Sequence, residues 1–528
     1  MACTSDHGNA SGGMTSHARS IEAELKLIPG VSDALVMTVA NPHAADRLLA
    51  AVEIDSDQPP AETVVQQIAA ALARHNGPLE IMPLRWFPRT PSGTIRRQAI
   101  KAAFIRQSAG PQLAHSLYLR AVAAQEIGRH DLAAASLDDA IAINPGPAPY
   151  HSALGNALRE LGRPGEAIAS YRKAIALAPD LIDAHYNIAT TLLAEGDLQA
   201  GWTEFEWRWK TVYMAGSQRT FKQAQWTGEP ARGQTLLIYA EQGFGDSLQF
   251  CRYATLAAKR GLRVILEVQA PLVRLLRTLP GVDQVMALGE PLPDFDVHCP
   301  MMSLPLAFAT TVETIPGSAA YLRADPMQVA VWQTRLDGMP QRGPRIGLVW
   351  AGSAMLTADR RRSINPEKLA PLFRLSGFHF FSVQKSGQAA PSDFPLTDYM
   401  DEMDDFADTA ALIANLDLVI SVDTAVAHLA AALGKPVWLL DRFDHDWRWL
   451  TGRRDSPWYP TLRLYRQPQR GDWDAVLAEV LHDLDALPRG PRQTRPAARV
   501  RTVATVAPSD TLSRADAGAP DDPAPRHR

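Results

Sequence analysis

Several short stretches of this chain carry residues whose types and spacing could do chemistry. In YAEQGFGDSLQF, Tyr239–Phe250, a glycine-rich turn separates an apolar run from a helical pattern. Gly243 and Gly245 let a ligand approach the backbone, and the free N–H groups at the start of the next helix suit an anion. Asp246 reads two ways, as the N-cap of that helix or as a general base facing a cleft. In LDLVISVDTAVAHLAAALGKPVWLL, Leu416–Leu440, a buried strand runs out at Val422 and a helix of small residues opens at Asp423, Thr424 and Ala425. The unpaired N–H groups and the dipole at that end suit a phosphate or diphosphate. His428, one turn in, could reach the same ligand or be a core histidine. In WAGSAMLTADRRRSINPEKL, Trp350–Leu369, a strand is followed by Arg360, Arg361 and Arg362. These could clamp a diphosphate or belong to a solvated charged loop. Asp405, Asp408 and Thr409 precede an apolar helix, with Asp408 or Thr409 as its expected cap. The tryptophan-rich DHDWRWL…SPWYP, Asp444–Pro460, could stack on a sugar or base, or pack in a core.

Periodicity assigns these residues to secondary structure. Residues from about 234 onward alternate short continuous apolar strands with helical patterns, which predicts parallel sheets covered on both faces. The cycle restarts at RIGLVWAG, so two Rossmann-like halves are expected. Upstream, Gly128, Gly162 and Gly196 are 34 residues apart, as are Ala133 and Ala167, Ala140 and Ala174, and Pro145 and Pro179. That period is the signature of tetratricopeptide repeats, with alanines at close helix contacts and glycine in the turn. The third copy drifts into GWTEFEWRWK and is expected to cap the stack against the strand-rich region. Before the repeats, alternating strand and helix patterns over residues 18–107 predict a small α+β unit.

Length and composition bound the rest. A chain of 528 residues implies several domains. A net charge of −4 gives no global reason to expect nucleic acid. Cys3, Cys251 and Cys299 are scattered, which argues against a zinc site or a disulfide framework. The start of the chain lacks a signal-peptide pattern, and no apolar run is long enough to span a membrane, so a cytoplasmic protein is expected.

Two resemblances sharpen this reading. IEAELKLIPGVSDALV together with RTPSGTIRR is similar to the C-terminal subdomain of the adenylate-forming enzymes. That family carries a lysine in this loop; here Thr94 stands in its place and cannot supply a cation to a developing phosphate charge. The residues ahead of it show no counterpart of that family's large ATP-binding domain, so a non-adenylating remnant or interaction module is expected. Residues from about 201 to 486 resemble glycosyltransferase family 9, the heptosyltransferases, and more distantly the O-linked N-acetylglucosamine transferases. The matching marks are GFGD, WAGS…DRRRSI, DFADTAALIANLDLVISVDTAVAHLAAALGKPVWLL and DWRWL…SPWYPTLRLYRQ. This resemblance implies a GT-B fold and an inverting, metal-independent transfer from a nucleotide-activated sugar. It places the base at Asp246 and counts Gly243 and Gly245 among the donor-binding residues. Asp423, Thr424, Ala425 and His428 would hold the donor diphosphate, with Arg360, Arg361 or Arg362 at the basic position. No DxD metal motif fits, and no cofactor is implied.

The expected architecture is therefore multidomain: a disordered start (1–17), the α+β unit (18–107), α-helical repeats (113–212), an α/β GT-B fold of two Rossmann-like domains (213–335 and 336–486), and a disordered tail (487–528). The implied partners are a nucleotide-sugar donor and a protein, peptide or glycan acceptor brought by the repeats. The rival readings are a scaffold with an inactive transferase domain and, against Thr94, an adenylating enzyme.

Overall fold

The computed structural model describes residues 11–39, 47–55, 61–75, 79–90, 92–100, 111–317, 320–340, 343–352, 359–385 and 389–488. The expected disordered tail falls almost wholly outside these residues. The start of the chain differs from expectation, because helix α1 (Ser11–Leu25) begins inside the segment read as structureless. Ile21 and Leu25, four residues apart on one helix face, are both fully buried and anchor it.

The N-terminal sheet has β1 (Val31–Val39) antiparallel to β2 (Arg47–Ile54), which runs parallel to β3 (Leu79–Leu84). Side-chain alternation gives it two apolar faces. Ala34, Val36, Ala50 and Val52 pack with α1 and with α2 (Ala61–Leu72). Leu35, Leu49 and Ala51 point the other way, onto Leu113, Leu117 and Ala121 of α3 (Pro111–Glu126). The unit is thus ordered against the first helix of the repeats. Its RTPSGTIRR loop is held by Arg89, which bonds Asp33 at 2.9 Å and Glu53 at 3.2 Å, and Thr94 is exposed.

The repeats pair α3 with α4 (His130–Ile143), α5 (Ala148–Glu160) with α6 (Pro164–Leu177), and α7 (Ile182–Ala194) with α8 (Leu198–Phe205). Gly128, Gly162 and Gly196 close the first helix of each pair at φ +77°, +73° and +85°, a conformation that side chains disfavour, which explains their fixed spacing. The last helix is cut short and tightens into a 3₁₀ turn, Glu206–Lys210. Its Trp202 and Phe205 leave the repeat core. Trp202 stands perpendicular to Phe250 at 5.9 Å and to Trp447 at 5.2 Å, inside the core of the next domain.

Two parallel sheets complete the fold. The first has order β4-β8-β5-β6-β7, from Ala224–Gln225, Val297–Pro300, Thr235–Tyr239, Arg263–Val268 and Gln284–Ala287. The second has order β11-β10-β9-β12-β13-β14, from Leu396–Asp398, His379–Ser382, Arg345–Val349, Leu418–Val422, Val437–Asp441 and Leu462–Arg466. Strands β5, β9 and β12 are buried along their whole length, as their near-continuous apolar runs predict. Strand order reverses beside β5 in the first sheet and between β9 and β12 in the second. A crevice opens at the carboxyl ends of the strands at such points. The helices that matter here are α9 (Phe244–Phe250), α10 (Arg252–Lys259), α11 (Pro326–Asp337), α12 (Phe406–Ala414), α13 (Ala425–Ala432) and α14 (Trp473–Asp485). The single helix expected after Asp246 is broken at Cys251 into α9 and α10. Among the described residues no helix is long and apolar enough to cross a membrane.

Candidate functional site

The loop after β5 delivers Asp246, but not as the cap of its helix. Gly243 is the N-cap, and Asp246 sits in the first turn with Oδ2 accepting the Gly243 N–H at 2.9 Å. Gly245 allows the two halves to meet. A Cβ there would lie 3.0 Å from Cδ2 of His428 and 3.8 Å from Cα of Ala425, so a side chain would require the buried His428 ring to give by a few tenths of an ångström. Between the two sheets lies a cavity of about 700 Å³. Gly243, Gly245 and Asp246 line it from the five-stranded half, and Arg362, Asp423, Thr424, Ala425 and His428 from the six-stranded half.

On the second side, β12 ends at Val422 and Asp423 enters the cavity. Thr424 starts α13 in extended backbone, yet its hydroxyl turns to Ser421 Oγ at 3.1 Å and caps no helical N–H. The first-turn N–H groups of α13 therefore receive no side-chain cap from Thr424. Burial, then the charge of Asp446, push the Asp423 carboxyl above its usual range. His428 is buried: its ring stacks on Trp449 at 5.2 Å, and Nδ1 lies 2.9 Å from the Tyr459 hydroxyl. Burial, then the nearby Arg448 charge, depress it to about 3, so the ring is neutral near pH 7 and offers hydrogen bonds, not charge.

The arginine loop is split. Arg362 lines the cavity, with Nε donating to Asp359 Oδ1 at 3.0 Å. Arg361 turns away to Asp444 at 3.0 Å. Asp444 also meets Arg470 at 3.2 Å, and Arg470 reaches Glu160 on α5 at 2.6 Å. Arg361 thus joins an ion cluster that ties this half to the repeats, a correction that sequence order could not supply. The Arg360 side chain lies outside the described residues. The cap of α12 is also corrected. Asp405, not Asp408 or Thr409, accepts the N–H groups of Ala407 and Asp408 at 2.7 and 3.2 Å. Asp405 and Asp408 both bind Arg274 of the other half.

Three charged groups at the site escape the sequence reading. Arg448 donates one amino group to Asp246 and the other to Asp446 at 2.7 Å. Burial alone would raise the Asp446 carboxyl, but the Arg448 charge and hydrogen bonds outweigh it and hold it low. Their stretch, DHDWRWL, is noted in sequence for its tryptophans and as one mark of the resemblance, with no role given to its charges. Lys385, after β10, lines the cavity with its ammonium bound to the Met400 and Met403 carbonyls at 2.9 and 2.6 Å.

Beneath the glycine loop, Arg208 of the 3₁₀ turn bonds Glu241 at 2.9 Å, Glu206 and Ser303 at 2.7 Å each. The second oxygen of Glu241 is buried without a partner. Burial raises this carboxyl from 4.5 to about 7 against the pull of Arg208, whose charge the more exposed Glu206 also meets. A raised folded pKa contributes stability that is full below the unfolded value and lost as pH climbs through the folded one. Between pH 4.5 and 7 the wild type should lose stability relative to Glu241→Gln. Urea unfolding of both proteins across that window checks this, and parallel profiles would contradict it.

Glycosyltransferase family 9 (heptosyltransferase) matches residues 402–440, from the approach to α12 through β12 and α13 to β13. Tetratricopeptide repeat families match residues 114–147 and 155–196, across the helix pairs α3 to α7. The chain carries tetratricopeptide repeats and a glycosyltransferase family 9 domain. The family 9 match includes Asp423, Thr424 and His428, while Asp246, Arg362 and Arg448 stand outside it. Protein FlbA of Caulobacter vibrioides is 27% identical over 425 residues, covering 68% of this chain and 71% of that protein. Among solved structures, E. coli ADP-heptose LPS heptosyltransferase II is 15% identical, covering 48% of this chain and 98% of its own, with a TM-score of 0.35. The tetratricopeptide protein YrrB is 18% identical, covering 21% of this chain and 56% of its own, with a TM-score of 0.19.

Proposed function

We propose that the family 9 domain transfers a sugar from a nucleotide-activated donor to an acceptor hydroxyl, with inversion and without a metal. The observation that carries this reading is the shared cavity. A carboxylate enters it from one sheet, and an arginine with an uncapped helix start enters it from the other. In this reading the acceptor oxygen attacks the anomeric carbon while the bond to the nucleotide oxygen breaks. The acceptor proton passes to Asp246. Arg362 and the first N–H groups of α13 meet the charge growing on the departing diphosphate. Neutral His428 and Thr424 orient it. The repeats bring a protein or peptide acceptor, and the N-terminal unit, with Thr94 in its loop, is a non-adenylating module that closes the stack.

The test is thermal stabilisation of the full chain by a panel of nucleotides and nucleotide sugars. A ligand at 100 times its dissociation constant should stabilise the native state by about 2.7 kcal/mol. The shift should track one nucleotide and be lost in Arg362→Ala. A flat panel on folded protein would overturn the reading in favour of an inactive scaffold.

A further inference from the structure

Arg448 stands on the loop after β13, in the same half as Asp423, yet its guanidinium bonds Asp246 in the other half, 202 residues away in sequence. It has little freedom to point elsewhere. One amino group meets Asp446 Oδ1 at 2.7 Å, its own backbone N–H meets the same oxygen at 3.1 Å, and its plane lies over Trp447 at 4.1 Å. A guanidinium held by a fixed carboxylate and an indole face imposes a fixed direction on whatever it bonds next. Asp246 is then gripped at both oxygens, by Gly243 N–H at one and Arg448 at the other.

The loop that carries Arg448 is in turn held by the third repeat. The Trp447 ring meets Trp202 edge-on at 5.2 Å and Phe205 at 5.8 Å. The Thr451 N–H donates to the Ala194 carbonyl, at the end of α7, at 2.8 Å. Between these contacts Leu450 adopts φ +49° and ψ 150°, a conformation that a leucine holds only where its surroundings over-determine it. Arg466 supplies the other restraint, donating to the carbonyls of Trp449 and Leu450 at 2.7 and 2.5 Å. A strained backbone clamped on one side by a guanidinium and on the other by a repeat is built to keep its place.

We infer that Arg448 is a positioning residue for Asp246 and that the third repeat, through Trp202 and Phe205, is the mount that holds it. This rests on the reading of Asp246 as the acceptor of the hydroxyl proton. In that role the two grips fix the plane of the carboxylate and leave its remaining lone pairs for the acceptor O–H.

The test uses the full chain. Arg448→Ala should lower kcat about 100-fold, the scale of a small misplacement of a reacting group, with the donor KM within about twofold. Arg448→Lys should recover little, because an ammonium cannot span Asp246 and Asp446 with the same fork. Trp202→Ala should lower kcat in the same manner, and the double variant should be no slower than Arg448→Ala alone, since both remove one device. Amide exchange gives a readout independent of turnover: in Trp202→Ala, residues 446–451 should lose protection while β9 and β12 keep theirs. Trp202→Phe, which keeps a ring in the core, carries the same test at reduced size if the alanine variant does not fold. Multiplied losses in the double variant, an Arg448→Ala enzyme at wild-type kcat, or full protection of 446–451 without Trp202 would overturn the inference. If the wild type transfers no sugar, the transfer reading fails instead, and the exchange measurement still decides whether the repeat mounts the loop.

Discussion

Replacing Asp246 by asparagine is expected to lower kcat for sugar transfer by about 10²- to 10⁴-fold, the range a positioned general base contributes. Nucleotide binding should stay within about twofold. The substitution is nearly isosteric, and an amide oxygen can still accept the Gly243 N–H that Asp246 now holds at 2.9 Å, so α9 keeps its start. Arg448 loses one carboxylate but retains Asp446 at 2.7 Å and the face of Trp447. The proposed donor contacts, Arg362 and the start of α13, belong to the other half and are untouched. Steady-state transfer and nucleotide titration on the same preparations make the comparison. Unchanged turnover would remove Asp246 from the mechanism. Nucleotide binding in both proteins with turnover in neither would make the domain an inactive scaffold.

A chain that begins at Thr211, without any repeat, is expected to be insoluble, whereas one that begins at Pro179 and keeps α7 and α8 should fold. Leu193, Leu198, Trp202 and Phe205 share one core with Phe250 of the five-stranded half and Trp447 and Trp449 of the six-stranded half. Truncating a buried tryptophan or phenylalanine costs about 3–5 kcal/mol, and a whole domain is stable by only about 5–15 kcal/mol, so losing this group exceeds what the remainder can bear. The longer deletion therefore cannot test the proposed acceptor recruitment, because it removes part of the core shared with the two sheets along with the repeats. The shorter one can. It should bind nucleotide and unfold cooperatively, and, if the first two repeats recruit the acceptor, lose transfer to a protein while keeping transfer to a small hydroxyl compound. A soluble, cooperatively folded chain from Thr211 would contradict the shared core.

The legible parts of this protein are the periodic ones. The 34-residue spacing of Gly128, Gly162 and Gly196 is visible because each position needs the same left-handed turn. Strands β5, β6, β9, β12 and β13 are visible because burial on both faces favours near-continuous apolar runs. The site is legible only where it is local. Asp423 to His428 can be placed because strand end, turn and helix are contiguous. The Arg448–Asp246 pair cannot, since nothing in either segment encodes a contact across 202 positions. Arg361 is misplaced for the opposite reason. Three adjacent arginines look equivalent in sequence, and only the packing of α5 against this half decides that Arg361 serves Asp444 and Glu160. The start of α1 is hidden because its glycines and serines are poor helix formers, and Ile21 and Leu25 override them by packing.

The repeat stack is closed at both ends, by Leu35, Leu49 and Ala51 of the N-terminal sheet at one and by the transferase core at the other. A solenoid with a free end can grow by adding copies there or join another solenoid; this one can do neither. Its length is a yardstick cut to a set number of marks. An evolutionary change in that length would have to be spliced into the middle, in whole helix pairs, and each inserted pair would step the N-terminal unit farther around and away from the cavity. If the repeats recruit the acceptor as proposed, its distance from the carboxylate of Asp246 is accordingly quantised. Only those points on the acceptor that fall at the permitted reach would come into register with the cavity.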